Sequence, residues 1–190
     1  MPAHYSLSET EEAVKRRLGD IAVRHDALAA VSNIHRAASA VRQHLENSAL
    51  RPAGLTWSAF VVLWVVWIWE EIETRHAASE AGISKGTLTG IIKTLESRDL
   101  VERRQHPDDG RRALLKLTPE GLSLMERLFP AFNGEEAFVV EELAPGEALQ
   151  LADTLRRIVT HLEEKGEERR GDLLGDEPVP PRPGGRRRSS

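Results

Sequence analysis

Apolar residues recur at helical spacing along most of the chain, and the places where that rhythm stops divide it into elements. Ser6 or Ser8, followed by acidic residues, opens a short first helix that ends near Gly19. Over residues 20–45, the positions Ile21, Leu28, Val31, Ile34, Ala38 and Val41 form one stripe of a long amphipathic helix. Arg51-Pro52-Ala53-Gly54 reads as a turn. Thr56 then caps a helix over 57–71 that is apolar almost all round. Trp57, Phe60, Val61, Trp64 and Ile68 share one face, and Val62, Val66 and Trp69 share the other. A helix of that kind is buried on more than one side, between two layers or between two chains.

Shorter elements follow. Residues 74–81 read as a short helix closed by Gly82, and Ser84 as the N-cap of a helix over 85–97 with Leu88, Ile91, Ile92 and Leu95 facing inward. Two short helices joined by a glycine turn have the outline of a helix-turn-helix, which many helical proteins share. What comes after Asp99 narrows the reading. Residues 100–105 and 112–118 alternate as strands, and Pro107-Asp108-Asp109-Gly110 supplies the tight turn between them. A helix-turn-helix followed at once by a hairpin is a winged helix.

Thr118-Pro119-Glu120 restarts a helix, with a cap, a proline at the first helical position and an acid in the first turn. Pro130 and Asn133-Gly134 are expected to kink or interrupt it. After the break at Ala144-Pro145-Gly146, a last helix over 147–164 carries Ala148, Leu151, Ala152, Leu155, Ile158, Val159 and Leu162 at near-heptad spacing, which suits packing against another long helix. Residues 167–190, rich in Pro, Gly and charge, read as a disordered tail.

Composition sharpens the functional side. The chain has 190 residues, a formal net charge of −4 and no cysteine, which excludes disulfides, thiolate metal sites and thiol-based redox sensing. The apolar run 60–69 is about half of the roughly 20 residues that span a bilayer. The N-terminus lacks the apolar core of a signal peptide, so a cytoplasmic protein with no membrane partner is expected. Bulk charge gives no reason to expect nucleic acid, but its distribution does. Between Ser84 and Lys116 eight Lys/Arg face five acids, whereas between Glu135 and Glu168 three bases face ten acids. A positive stripe on the winged helix is the electrostatic footprint of phosphate contact. Arginines at the wing tip, Arg111 above all, can enter a minor groove, with Asp109 holding the Arg111 guanidinium.

The order of a long helix, "LTWSAFVVLWVV", "AASEAGISKGTLTGIIKTLESRDLVERR" and "HPDDGRRALLKLTPEG" resembles the MarR family of bacterial transcriptional regulators. The likeness runs from about residue 21 to 166 and is strongest over 82–121. Asp109-Gly110-Arg111 followed by Leu117-Thr118-Pro119-Glu120-Gly121 carries it most specifically. The resemblance implies a mainly α fold with a small β-hairpin wing. It divides the chain into an N-terminal extension (1–20), a helical dimerisation region (21–50 and 119–166), a winged helix-turn-helix DNA-binding domain (55–118) and the tail (167–190). It also implies a homodimer that presents one winged helix to each half-site of a pseudo-palindromic double-stranded DNA operator, most simply as a repressor. Carried onto this chain, the DNA-binding residues are Ser84, Lys85, Gly86, Thr87, Thr89 and Lys93 of the recognition helix and Arg103, Asp109, Arg111 and Arg112 of the wing. Gly86 and Gly90 are unexpected there, since each costs about 1 kcal/mol relative to Ala in a helix interior. Close backbone approach to DNA is the functional account, favoured for Gly86 near the helix N-terminus, and tolerance of glycine on an exposed face is the alternative.

Many relatives respond to a small aromatic acid, which makes a small aromatic or phenolic ligand a candidate partner here. His35, Arg42, Trp57, Trp64 and Trp67 are its candidate contacts, with His25 beside them. A tryptophan stripe on a buried helix is more often core. No cofactor and no metal are expected: the seven histidines show no metal-ligand spacing. No nucleophile motif, HExxH, phosphate loop or GxGxxG marks an enzyme. The alternative to a DNA-binding regulator is a helical protein–protein adaptor that uses a winged helix without specific DNA binding.

Overall fold

The structure, a computed structural model, describes residues 6–106 and 109–175, with the backbone alone for residues 7, 106 and 109–111. The chain divides into two compact units after Glu136. In chain order the first holds α1 (Leu7–Leu18), α2 (His25–Leu45), a π turn (Glu46–Leu50), α3 (Trp57–Trp69), β1 (Glu71–Glu73), α4 (Thr74–Glu80), α5 (Lys85–Ser97), β2 (Val101–His106), β3 (Asp109–Leu117) and most of α6 (Pro119–Val139). The second holds the end of α6 and α7 (Glu147–Leu174).

Capping explains most helix starts. Ser6 and Glu9 form a reciprocal capping box on α1, and that bond to the Ser6 backbone N–H holds the Glu9 carboxyl below its ordinary pKa. Thr56 accepts from the Ala59 N–H at 3.3 Å, and Ser84 accepts from the Thr87 N–H at 3.1 Å. The three strands form an antiparallel sheet in the order β1-β3-β2. Ile72 lies opposite Leu115, and Arg103 opposite the same residue from the other side. The core centres on α3: Val62, Leu63 and Val66 are fully buried and meet Leu50, Ile92, Leu95, Leu115 and Met125.

Several expectations need correction. The second helix begins at His25 rather than Asp20, because Gly19 adopts a positive φ and Arg24 is extended, leaving Ile21 outside the helical stripe. It also continues past Leu45 as a π turn that buries Ala49 and Leu50. The Trp57 helix stops at Trp69, where Glu70 takes a φ of 58°, and β1 follows at once. Helix α6 is not interrupted at Pro130 or at Asn133-Gly134. Proline removes one backbone donor, and Met125, Leu128 and Phe132, all buried, anchor the turns on both sides of it. The last helix runs to Leu174 rather than Glu164, so residues 167–174 are helical and not part of a disordered tail. Lys165–Glu168 and Glu167–Arg170 pairs line that extension, and Gly175 caps it. Residues 176–190, including Arg186-Arg187-Arg188, lie outside the described residues.

Candidate nucleic-acid interface

Helix α5 presents two different faces. Leu88, Ile92 and Leu95 are buried, whereas Ser84, Lys85, Gly86, Thr87, Thr89, Gly90 and Lys93 are all exposed. The outer face is therefore short polar side chains, two lysines and two glycines. A Cβ at Gly90 would meet nothing within 4 Å, so no packing among the described residues requires glycine there. The N-terminal turn is preorganised: the Ser84 and Thr87 hydroxyls lie 2.8 Å apart, and the Thr89 hydroxyl donates to the Lys85 carbonyl at 2.8 Å.

What holds this face in place is less visible in the sequence. Arg98, just past α5, donates from Nη1 to the Gly54 carbonyl at 2.7 Å and from Nη2 to the Ala53 carbonyl at 3.1 Å. In the sequence it counts only as part of the positive stripe, but in the fold it ties the helix to the turn before α3. Asp99 then takes a φ of 55°, a left-handed conformation that Asp tolerates better than most residues. Thr118, 7 % exposed, donates its hydroxyl to the Asp99 carbonyl and accepts the Gly121 N–H at 3.0 Å. Gly121 lies against Leu100 so closely that a Cβ would sit 2.0 Å from the Leu100 carbonyl oxygen. The Leu-Thr-x-x-Gly stretch is thus the joint where α6 leaves the wing and crosses the end of the recognition helix.

The wing arginines separate into different environments. Arg103 is exposed, with Nε 3.2 Å from a Glu96 carboxylate oxygen on α5. Arg104 pairs with Glu102. Arg112 pairs with Glu73, whose side chain is 11 % exposed, and Arg75 approaches the other Glu73 oxygen at 2.8 Å. Arg112 is therefore engaged within the fold. The side chains of Asp109 and Arg111 lie outside the described residues, as does the turn at Pro107-Asp108, although the backbone of Asp109–Arg111 belongs to β3.

The five candidate ligand contacts do not line one cavity. Trp57 and Trp64 share a groove of about 340 Å³ with Phe60, Val61, Phe129, Phe132 and Glu136. Phe60 stacks on Phe132 at 4.3 Å between ring centres, and Trp64 lies 4.8 Å from Phe129. Trp67 touches the same cluster edge-on, 5.6 Å from Trp64, but lines a neighbouring hollow with Glu70, Lys116 and Leu122. Arg42 faces elsewhere, beside Glu46 at 3.9 Å, and His35 is exposed. His25 belongs to a third hollow between α1 and α2. The sequence places Phe129 with Leu122 and Met125 on the apolar side of this helix but does not assign it to a groove, and Phe132 falls beyond the expected break at Pro130.

The MarR family model matches residues 55–113, from the start of α3 into the wing. The HTH-type transcriptional regulator YwaE of Bacillus subtilis is 28 % identical over 162 residues, covering 84 % of this chain and 95 % of that protein. The structure of a mutant MarR from E. coli complexed with operator DNA superposes with a TM-score of 0.64 at 23 % identity, covering 70 % of this chain and 95 % of that one. That of Bordetella bronchiseptica BpsR, whose DNA binding is regulated by 6-hydroxynicotinic acid, gives 0.63 at 24 % identity, covering 69 % and 98 %.

Proposed function

We propose that this chain, whose residues 55–113 match the MarR family model, is a winged helix-turn-helix transcriptional regulator of that type and works as a ligand-responsive repressor that binds a pseudo-palindromic operator as a homodimer. The observation that carries this reading is the outer face of α5: exposed, short-chained, basic, and pinned from behind by Arg98. Ser84, Lys85, Gly86, Thr87, Thr89 and Lys93 meet the major groove. Hydroxyls and ammonium groups there take phosphates and base edges, and the positive helix N-terminus favours a phosphate. Arg111, with Asp109 as the partner of its guanidinium, enters the adjacent minor groove, and Arg103, exposed on β2, adds a further phosphate contact. The relative complexed with operator DNA supports this docking.

Two-fold pairing follows from the apolar surface the chain leaves uncovered. No residue of α7 is buried, and Leu149, Leu151, Leu155, Ile158, Val159 and Leu162 are exposed along it; Val31 of α2 is 54 % exposed. A second copy is the natural cover, and a two-fold dimer reads two half-sites one helical turn apart.

The effector site is the aromatic groove of Trp57, Phe60, Trp64, Phe129 and Phe132, whose size suits a single aromatic ring. Its one charged lining residue among those described is Glu136, which disfavours a second carboxylate beside it. A neutral phenol or ring amide fits this chemistry better than an aromatic acid.

Selection of genomic fragments on the immobilised protein tests the reading. Retained fragments should share an imperfect inverted repeat with half-sites about 10 bp apart. Retention of fragments with no common motif would contradict it.

A further inference from the structure

We infer that Glu73 is a positioning residue for DNA recognition: its carboxylate, clamped between Arg75 and Arg112, fixes the wing against the helix-turn-helix. This rests on the reading of α5 and the wing as one DNA-binding surface.

The sheet register creates the clamp. Glu73 on β1 lies opposite Leu114 on β3, so Arg112, two residues along, projects from the same face and reaches back to Glu73 Oε1. Arg75, in the first turn of α4, takes Oε2 at 2.8 Å. Each carboxylate oxygen holds one guanidinium, one from the wing strand and one from the first helix of the helix-turn-helix. The Glu73 side chain is 11 % exposed, and Arg112 Nε is buried without a hydrogen-bond partner among the described residues. A carboxylate this buried is costly without its partners, so the pair resists sliding apart.

Glu73 also occupies the N-cap of α4, where an acidic side chain ordinarily accepts a backbone N–H, yet it makes no capping bond. Its carboxylate is turned away from the helix and towards the two arginines. The wing and α5 must meet one duplex at a fixed offset, and contacts of that kind lose their value when their supports loosen.

The sign of the effect makes the inference testable. Glu73 contributes a negative charge beside a DNA-binding surface. On charge alone, Glu73→Gln strengthens binding to every sequence. A positioning role predicts the opposite for specific DNA. Fluorescence anisotropy with a selected genomic fragment and a scrambled duplex, over a salt series, separates the two. It should be run on the full-length wild type, Glu73→Gln, Arg112→Met and the double variant.

The expected result is that Glu73→Gln binds the selected fragment about tenfold more weakly, with scrambled DNA bound as well or better. Arg112→Met should lose a similar factor, and the double variant should be no worse than either single one. Should the glutamine variant not fold, Glu73→Asp keeps the charge but shortens the reach, and it too should lose specific binding. Specific binding as tight as wild type in the Glu73 variant that folds, or losses that add in the double variant, would overturn the inference. A wild type that does not prefer the selected fragment would overturn the regulator reading itself, and with it this proposal.

Discussion

At Gly121 a single missing methyl decides how two elements meet. The Leu100 carbonyl occupies the place where a Cβ would stand, and that oxygen is backbone and cannot swing aside. Gly121→Ala must push α6 off the end of the recognition helix, and we expect it to cost on the order of 3 kcal/mol, read as a marked fall in melting temperature. A variant as stable as wild type would mean that the joint is softer than described. Arg111 poses the complementary case, a residue proposed to meet the DNA. Arg111→Ala should weaken operator binding strongly and reduce the slope of log K against log salt by about one ion. Unchanged affinity at fixed salt would remove Arg111 from the interface. Arg112, its neighbour, is engaged with Glu73 and should not behave as a second copy of Arg111.

Among the elements, those with a strong local code were the legible ones. Helix α5 begins after Ser84 and ends at Ser97 as its cap and apolar stripe predict, and Thr118 starts α6 through its hydroxyl. Strand β1 was not legible: three residues are too few to show alternation, and only its partner β3 defines it. The π turn after Leu45 and the continuity of α6 through Pro130 depend on which side chains find the core, and local propensity carries no information about that. The clamp at Glu73 and the tether at Arg98 were invisible for a similar reason. A charge count registers a stripe but not which charges face inward. Gly90 offers a test at this scale. Its site is open, so Gly90→Ala should stabilise the protein by roughly 0.5–1 kcal/mol in thermal or urea unfolding. On the proposed docking it should at the same time weaken operator binding, since an added methyl on the outer face would hold α5 back from the groove. Greater stability with unchanged affinity would mean that glycine is merely tolerated there.

For the whole molecule, uncovered apolar surface and segregated charge point to assembly on DNA. The apolar stripe of α7 is exposed along its length, and burying it against a second helix is the driving force proposed for pairing. Along the sequence the positive charge is concentrated in the winged helix, the segment expected to face a polyanion. Removing residues 176–190 leaves α7 whole. It should leave a dimer by light scattering and lower DNA affinity only a few-fold, through loss of a basic arm. A monomer after that truncation would place part of the dimer contact in the tail.

A sequence-specific DNA-binding dimer has a signature that one titration reads. Purified protein is titrated into labelled DNA from upstream of its own gene, with a scrambled duplex alongside, at several salt concentrations. Tight preference for the upstream fragment is expected, with affinity falling steeply as salt rises. Equal and weak binding to both duplexes, with a shallow salt dependence, would contradict it.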